Sequence, residues 1–269
     1  MNIKITGKGE QTVILAHGYG ASQCVWDELC PLLEDKYRVV LFDWIFSADI
    51  SQQNDHDLDA LNYSSFSALS DDLVSLVEEN QLHGSVYVGH SMAGMLGCIA
   101  SVKSPHLFSH LILLGATPSY LNDKNYKGGF DKEMVDKMLC DIEFNFKTWV
   151  PNFASMVVGP ENPDAVEKYT ETLQRMKPEV ALSVARTLFQ SDNRHVLENV
   201  QIQCTIIHCN NDNVAPEFVA KYMETKMKGR ASIVTIDADV GHFPQLTAPQ
   251  KLYQVLHKVI TSNTSLFQS

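Results

Sequence analysis

Ser85-Val86-Tyr87-Val88-Gly89-His90-Ser91-Met92-Ala93-Gly94 decides how this chain is read. An apolar stretch of the kind that forms a buried strand runs, without a spacer, into a turn of small residues. That layout holds Ser91 on a sharp strand-to-helix turn with its hydroxyl exposed, the arrangement of a nucleophile elbow. Gly89, two residues before the serine, and Ala93, two after it, stand where the strand and helix backbones pass too closely for larger side chains. Gly-x-Ser-x-small also arises by chance, so its weight depends on the partners found downstream.

A serine hydroxyl needs a base to act as a nucleophile, and the base needs an acid to orient it. Where the serine sits on such an elbow, the acid follows it in the chain and the histidine comes last. Cys204-Thr205-Ile206-Ile207-His208 reads as a buried strand, and the polar turn after it carries Asp212. That is the edge at which open parallel sheets hold their ligands. Residues 232–236 read as another strand, and Gly241-His242-Phe243-Pro244 follows in the loop beyond. Order, strand context and loop placement converge on Ser91 as nucleophile, His242 as general base and then acid, and Asp212 as its orienter. Upstream, Thr12–Ala16 opens into His17-Gly18-Tyr19-Gly20, a turn suited to aiming backbone N–H groups at a developing oxyanion. The expected donors are the N–H groups of Tyr19 and Met92. Taken singly, Asp212 reads as a turn residue and His242 as a surface histidine; His17 and His90 read as loop-orienting residues.

Short runs rich in Val, Ile and Leu recur at 12–16, 38–42, 86–88, 111–114, 205–208 and 233–236, with helical patterns at 67–79 and 92–101. Buried strands alternating with helices indicate a mostly parallel sheet covered on both faces. With the elbow, this is the α/β class and the α/β-hydrolase fold. Between 119 and 194 the alternation stops. Met134, Met138, Leu139, Ile142 and Phe146 mark one face of a helix over 131–147, and Pro151, Gly159-Pro160 and Asn162-Pro163 are read as ending the next segment. Val166, Tyr169, Leu173 and Met176 mark a third helix, and Pro178 opens a fourth. Residues 1–118 and 195–269 are therefore expected to form the core, and 119–194 a four-helix lid over the serine. Its many aromatic and methionine side chains would pack partly among themselves and partly around an apolar cavity, suited to a small hydrophobic molecule.

A formal charge of −11 with no cluster of Lys or Arg argues against nucleic acid or an anionic membrane as partner. The first residues form no apolar signal region, and no run reaches the roughly 18 apolar residues of a membrane span. A soluble cytoplasmic or nuclear monomer is expected. The six cysteines, Cys24, Cys30, Cys98, Cys140, Cys204 and Cys209, have no metal-type spacing; neither disulfide, metal nor cofactor is expected. Asp55-His56-Asp57-Leu58-Asp59 reads as a solvated loop rather than a metal site. Asn62-Tyr63-Ser64 and Asn263-Thr264-Ser265 match glycosylation sequons that carry little weight without a secretion signal.

His17-Gly18-Tyr19-Gly20, Val25-Trp26, Gly89-His90-Ser91, Ser119-Tyr120-Leu121-Asn122-Asp123, Tyr126-x-Gly128-Gly129-Phe130, Phe189-Gln190-Ser191-Asp192 and Gly241-His242-Phe243-Pro244 together resemble the plant strigolactone and karrikin receptors, the DWARF-fourteen family. The resemblance covers essentially the whole chain. Through the loop Leu41-Phe42-Asp43-Trp44-Ile45-Phe46-Ser47 the chain looks most like the DWARF-fourteen-like-two branch. The resemblance implies an α/β hydrolase with a V-shaped lid that binds butenolide lactones and hydrolyses them slowly. It also implies hormone signalling, through ligand-driven contact with an F-box subunit of a ubiquitin ligase and with repressor proteins. By position, Tyr19, Tyr120, Phe130, Met138, Trp149, Phe153 and Phe189 match the family's pocket-lining places.

Three departures stand out. The elbow continues as Met92-Ala93-Gly94 where the family commonly has Val-Ser-Ala; Tyr19 replaces a phenylalanine; and Trp44-Ile45-Phe46 replaces a glycine-containing loop. Trp44, Ile45 and Phe46 are expected either to crowd the pocket mouth and brace neighbouring loops or to pack in the core beneath. Two other functions stay open: an ordinary carboxylesterase or lactonase without a signalling partner, and a ligand-binding protein with a vestigial triad.

Overall fold

Val13, Ile14, Leu15 and Ala16 are all fully buried, although successive strand residues face opposite sides of a sheet. Both faces of this strand must be covered. The computed structural model, which describes residues 1–47, 65–237 and 241–264, shows how. A seven-stranded sheet runs in the order β1-β3-β2-β4-β5-β6-β7, formed by β1 (Asn2–Thr6), β2 (Thr12–Ala16), β3 (Arg38–Asp43), β4 (Ser85–His90), β5 (Phe108–Leu114), β6 (Cys204–Cys209) and β7 (Ala231–Ile236). All pairings are parallel except β1 with β3. Helices α1 (Cys30–Glu34), α2 (Phe66–Glu79) and α3 (Met92–Lys103) follow β2, β3 and β4; α2 packs against α3.

The acidic stretch at 55–59 and the sequon at 62–64 lie outside the described residues, as does Ser265 of the second sequon. Among the described residues no helix is long and apolar enough to cross a membrane. No group of three or more His, Cys, Asp or Glu among them could hold a metal ion.

Between β5 and β6 lie α4 (Lys132–Val158), α5 (Pro163–Gln174) and α6 (Pro178–Gln190). α4 is broken at Asn145 (φ −135°, ψ 30°) into two arms. Here two expectations are corrected. Pro151 does not end its helix but lies inside it. A proline there forfeits its bond to the carbonyl four residues back and bends the preceding turn, and the break falls just before that turn. Gly159, at φ 104°, terminates the helix instead. Met134 is exposed rather than on the packed face, which Val135, Met138, Leu139 and Ile142 supply.

The two ends of this insertion are tied together at its root. Ser119 and Asp192 form an antiparallel bridge, and the Asn193 N–H donates to the Pro118 carbonyl at 2.8 Å. The Arg194 guanidinium bonds the carboxylates of Asp192 and Asp123 and lies 4.8 Å over the Tyr126 ring, a charge-assisted and cation–π arrangement. Tyr126 and Asp192, from two of the motifs quoted above, thus meet in one clamp. After the insertion, α7 (Glu217–Lys226) joins β6 to β7, and α8 (Pro244–Thr247) and α9 (Pro249–Thr264) complete the described chain.

Candidate active site

β4 ends at His90, and the next residue takes φ 57° and ψ −125°. A non-glycine residue is held there at a cost of about 1–3 kcal/mol. Ser91 is held by both neighbours: its N–H donates to the Leu114 carbonyl of β5 at 2.8 Å, while its own carbonyl accepts from Gly94 N–H at 3.0 Å and starts α3. Gly89 has no alternative. A Cβ there would lie 2.6 Å from the Gly94 nitrogen and 2.7 Å from the Ala93 carbonyl carbon and oxygen. The Ser91 Oγ sits 3.3 Å from the Tyr120 phenol oxygen.

Met92 is the first residue of α3, so its N–H has no acceptor within the helix. The register Ala16↔Gly89 brings the His17-Gly18-Tyr19 turn out of β2 alongside the elbow. That turn is braced from beneath. The Trp44 indole N–H donates to the His17 carbonyl at 2.8 Å, and the Trp44 ring packs on Phe42 and Phe46. Trp44 and Phe46 are fully buried, and neither they nor Ile45 lines the space over Ser91. The loop is core and brace, not pocket mouth. Trp44→Ala is expected to cost about 3–5 kcal/mol, the range for truncating a buried large aromatic, with ligand preference among folded molecules unaltered. Urea denaturation with a ligand-binding assay on the same samples checks both.

Asp212 lies in the loop after β6. One carboxylate oxygen accepts from the N–H groups of Val214 and Ala215 at 2.8 and 2.9 Å, and the other bonds His242 Nδ1 at 2.8 Å. With Nδ1 donating, the lone pair of the neutral ring is on Nε2. His242 and Ser91 line one cavity. The His242 backbone is fixed twice, its N–H donating to the Val157 carbonyl in the last turn of α4 at 3.1 Å and its carbonyl accepting from His90 Nε2 at 2.8 Å. Burial holds His90 well below the ordinary histidine pKa, so it is a neutral donor to a backbone.

One contributor has no signal in the sequence. Gly115, at φ 56° just past β5, faces the acid–histidine pair. A Cβ there would stand 3.1 Å from the His242 ring and 3.3 Å from Asp212 Oδ2. A lone glycine after a strand reads as a turn, and only the tertiary approach shows what it makes room for.

The space over Ser91 is small, about 20 Å³, room for about one water molecule. Tyr19, Tyr120, Phe153 and Phe189 line it, joined by Val157, Tyr169, Leu188, Val214 and Phe243. Phe130, Met138 and Trp149 do not. They line an outer groove of about 250 Å³, and the reason is Phe153. Among the described residues it is the one side chain common to both spaces, stacked on Trp149 at 4.7 Å on one side and edge-on to Tyr19 and Phe189 at 6.2 and 6.5 Å on the other. A larger depression of about 840 Å³ runs beside α2 and α6 and contains none of these residues.

The alpha/beta hydrolase fold family model matches residues 11–249. A karrikin insensitive 2 receptor of Petunia hybrida is 40% identical over 256 residues, 95% of this chain and 93% of the relative. A strigolactone esterase of Arabidopsis thaliana is 36% identical over 260 residues, 97% of this chain and 96% of that one. The chain belongs to the strigolactone and karrikin receptor family of α/β hydrolases. Among solved structures, a hydrolase from Oleispira antarctica superposes with a TM-score of 0.91 at 26% identity, over 96% of this chain and 94% of that one. This α/β hydrolase therefore has plant receptor-esterases among its relatives, and its sheet is shared with a bacterial hydrolase.

Proposed function

We propose that the chain is a serine hydrolase that binds a small butenolide-type lactone and cleaves it slowly. The observation that carries this is the Asp212–His242 pair, bonded at 2.8 Å, lining the same cavity as a serine held at positive φ. In this reading His242 Nε2 takes the proton from Ser91 Oγ as the oxygen attacks the ester or lactone carbonyl. The N–H groups of Tyr19 and Met92 receive the developing oxyanion, and the proton then passes to the leaving oxygen. Asp212 keeps the ring in the tautomer that makes Nε2 the base and stabilises the imidazolium. Water completes the cycle by the reverse route.

The narrowness of the cavity supports slow turnover, since a bound lactone must first displace Phe153, Phe189 or the tyrosines around Ser91. The helical insertion, 119–194, then acts as the lid. The names of the relatives support a receptor role, in which the liganded lid is read by an F-box subunit and repressor proteins in the cytoplasm or nucleus. The test is turnover of a fluorogenic butenolide and of p-nitrophenyl acetate, alongside ligand-dependent melting. Slow butenolide cleavage with a shifted melting temperature is expected. Fast multiple turnover of the acetate with no butenolide shift would mark an ordinary esterase. A melting shift without any cleavage would mark a binding protein.

A further inference from the structure

Two hydrogen bonds cross from the turn after β2 to the helical insertion, and they use both ends of one residue. The Tyr19 phenol donates to the Ala181 carbonyl near the start of α6 at 3.0 Å. The Tyr19 carbonyl accepts from the Tyr169 phenol of α5 at 2.9 Å. Burial raises both phenols well above the ordinary tyrosine range, so both are neutral donors at any physiological pH. The Tyr19 ring meets Phe153 and Phe189 edge-on, and all three wall the space over Ser91.

We propose that Tyr19 determines substrate size and type: its hydroxyl latches α6 down over Ser91, and the latch yields to ligands that offer an acceptor in place of the Ala181 carbonyl. The proposal rests on the hydrolase function set out above. A cavity of about 20 Å³ does not take a long acyl chain unless a wall retreats. When α6 retreats, the Tyr19 hydroxyl loses its acceptor among apolar rings. A buried donor left without a partner disfavours that state by about 5- to 150-fold. A ligand carrying a carbonyl or ether oxygen at that point restores the bond; a purely aliphatic chain does not. The Ala181 carbonyl is under no such constraint. It has two lone pairs, and the helix N–H four residues on satisfies one of them.

That asymmetry makes Tyr19→Phe a clean test, because the ring packing stays and no buried polar group is orphaned. Wild type and Tyr19→Phe would be assayed on p-nitrophenyl acetate, butyrate and octanoate, with backbone amide exchange followed over α6. The expected result is a rise of about 10-fold or more in kcat/KM for butyrate and octanoate relative to acetate, with faster exchange at the start of α6. An unchanged chain-length ratio in an active Tyr19→Phe enzyme would overturn the proposal and leave the hydrolase assignment standing, whatever the exchange shows. A wild type that cleaves neither these three esters nor the fluorogenic butenolide would instead overturn that assignment, and the substrate selection proposed for Tyr19 with it.

Discussion

Ser91→Ala is expected to remove ester and butenolide hydrolysis almost completely, by about a million-fold in kcat, as loss of the nucleophile does where triad members act as a unit. The fold should be untouched. Alanine retains the Cβ, so the strain at φ 57°, ψ −125° stays, and the hydroxyl takes with it the 3.3 Å approach to the Tyr120 phenol. Ser91→Gly separates the two roles of the position. It is equally inactive, but glycine adopts that backbone without strain, so it should unfold later than Ser91→Ala, by about 1 kcal/mol. Turnover of p-nitrophenyl acetate and denaturation midpoints of the two variants check both halves. Retention of even a hundredth of wild-type activity by Ser91→Ala would move the chemistry to another residue.

Asp212→Asn is expected to lower kcat by about 10⁴ with little change in stability. Asparagine can keep its side-chain oxygen on the N–H groups of Val214 and Ala215, where Asp212 Oδ1 now accepts. Its amide then faces His242 Nδ1, where Asp212 Oδ2 sits at 2.8 Å. An amide N–H donates, so Nδ1 must accept and the ring proton moves to Nε2. The nitrogen that should take the serine proton then already carries one. A kcat within ten-fold of wild type, in a protein with an unshifted melting curve, would mean that the tautomer of His242 is not what Asp212 sets.

What could be read from the residues follows from how local each constraint is. The elbow was legible because Gly89 answers to the backbone of Ala93 and Gly94 across a single tight turn. Asp212 and His242 stood out because each follows an apolar run, β6 or β7. β1 gave no such signal: as an antiparallel edge strand with no buried residue, it lacks the apolar content that marked the others. The outer wall is a different case. Met138 and Trp149 take their expected pocket places from family position alone, and they lie on opposite sides of the break at Asn145, so the local pattern does not say which space each faces. That depends on where Phe153 lodges, a matter of tertiary packing alone. Gly115 belongs to the same class.

The crossing bonds from Tyr169 to Tyr19, from Tyr19 to Ala181 and from His242 to Val157 also bear on how such proteins can be recombined. Through these three bonds the segment 119–194 is stitched to two loops of the core, and the acceptor in each of the three is a backbone carbonyl. A chimera that imports 119–194 from a relative would carry in the Val157 and Ala181 carbonyls at any sequence, but it would need a hydroxyl at 169 and the host's phenol at 19. Grafts that match those two tyrosines should seat in register with the histidine loop, whereas grafts that lack them lose both ties to the turn after β2.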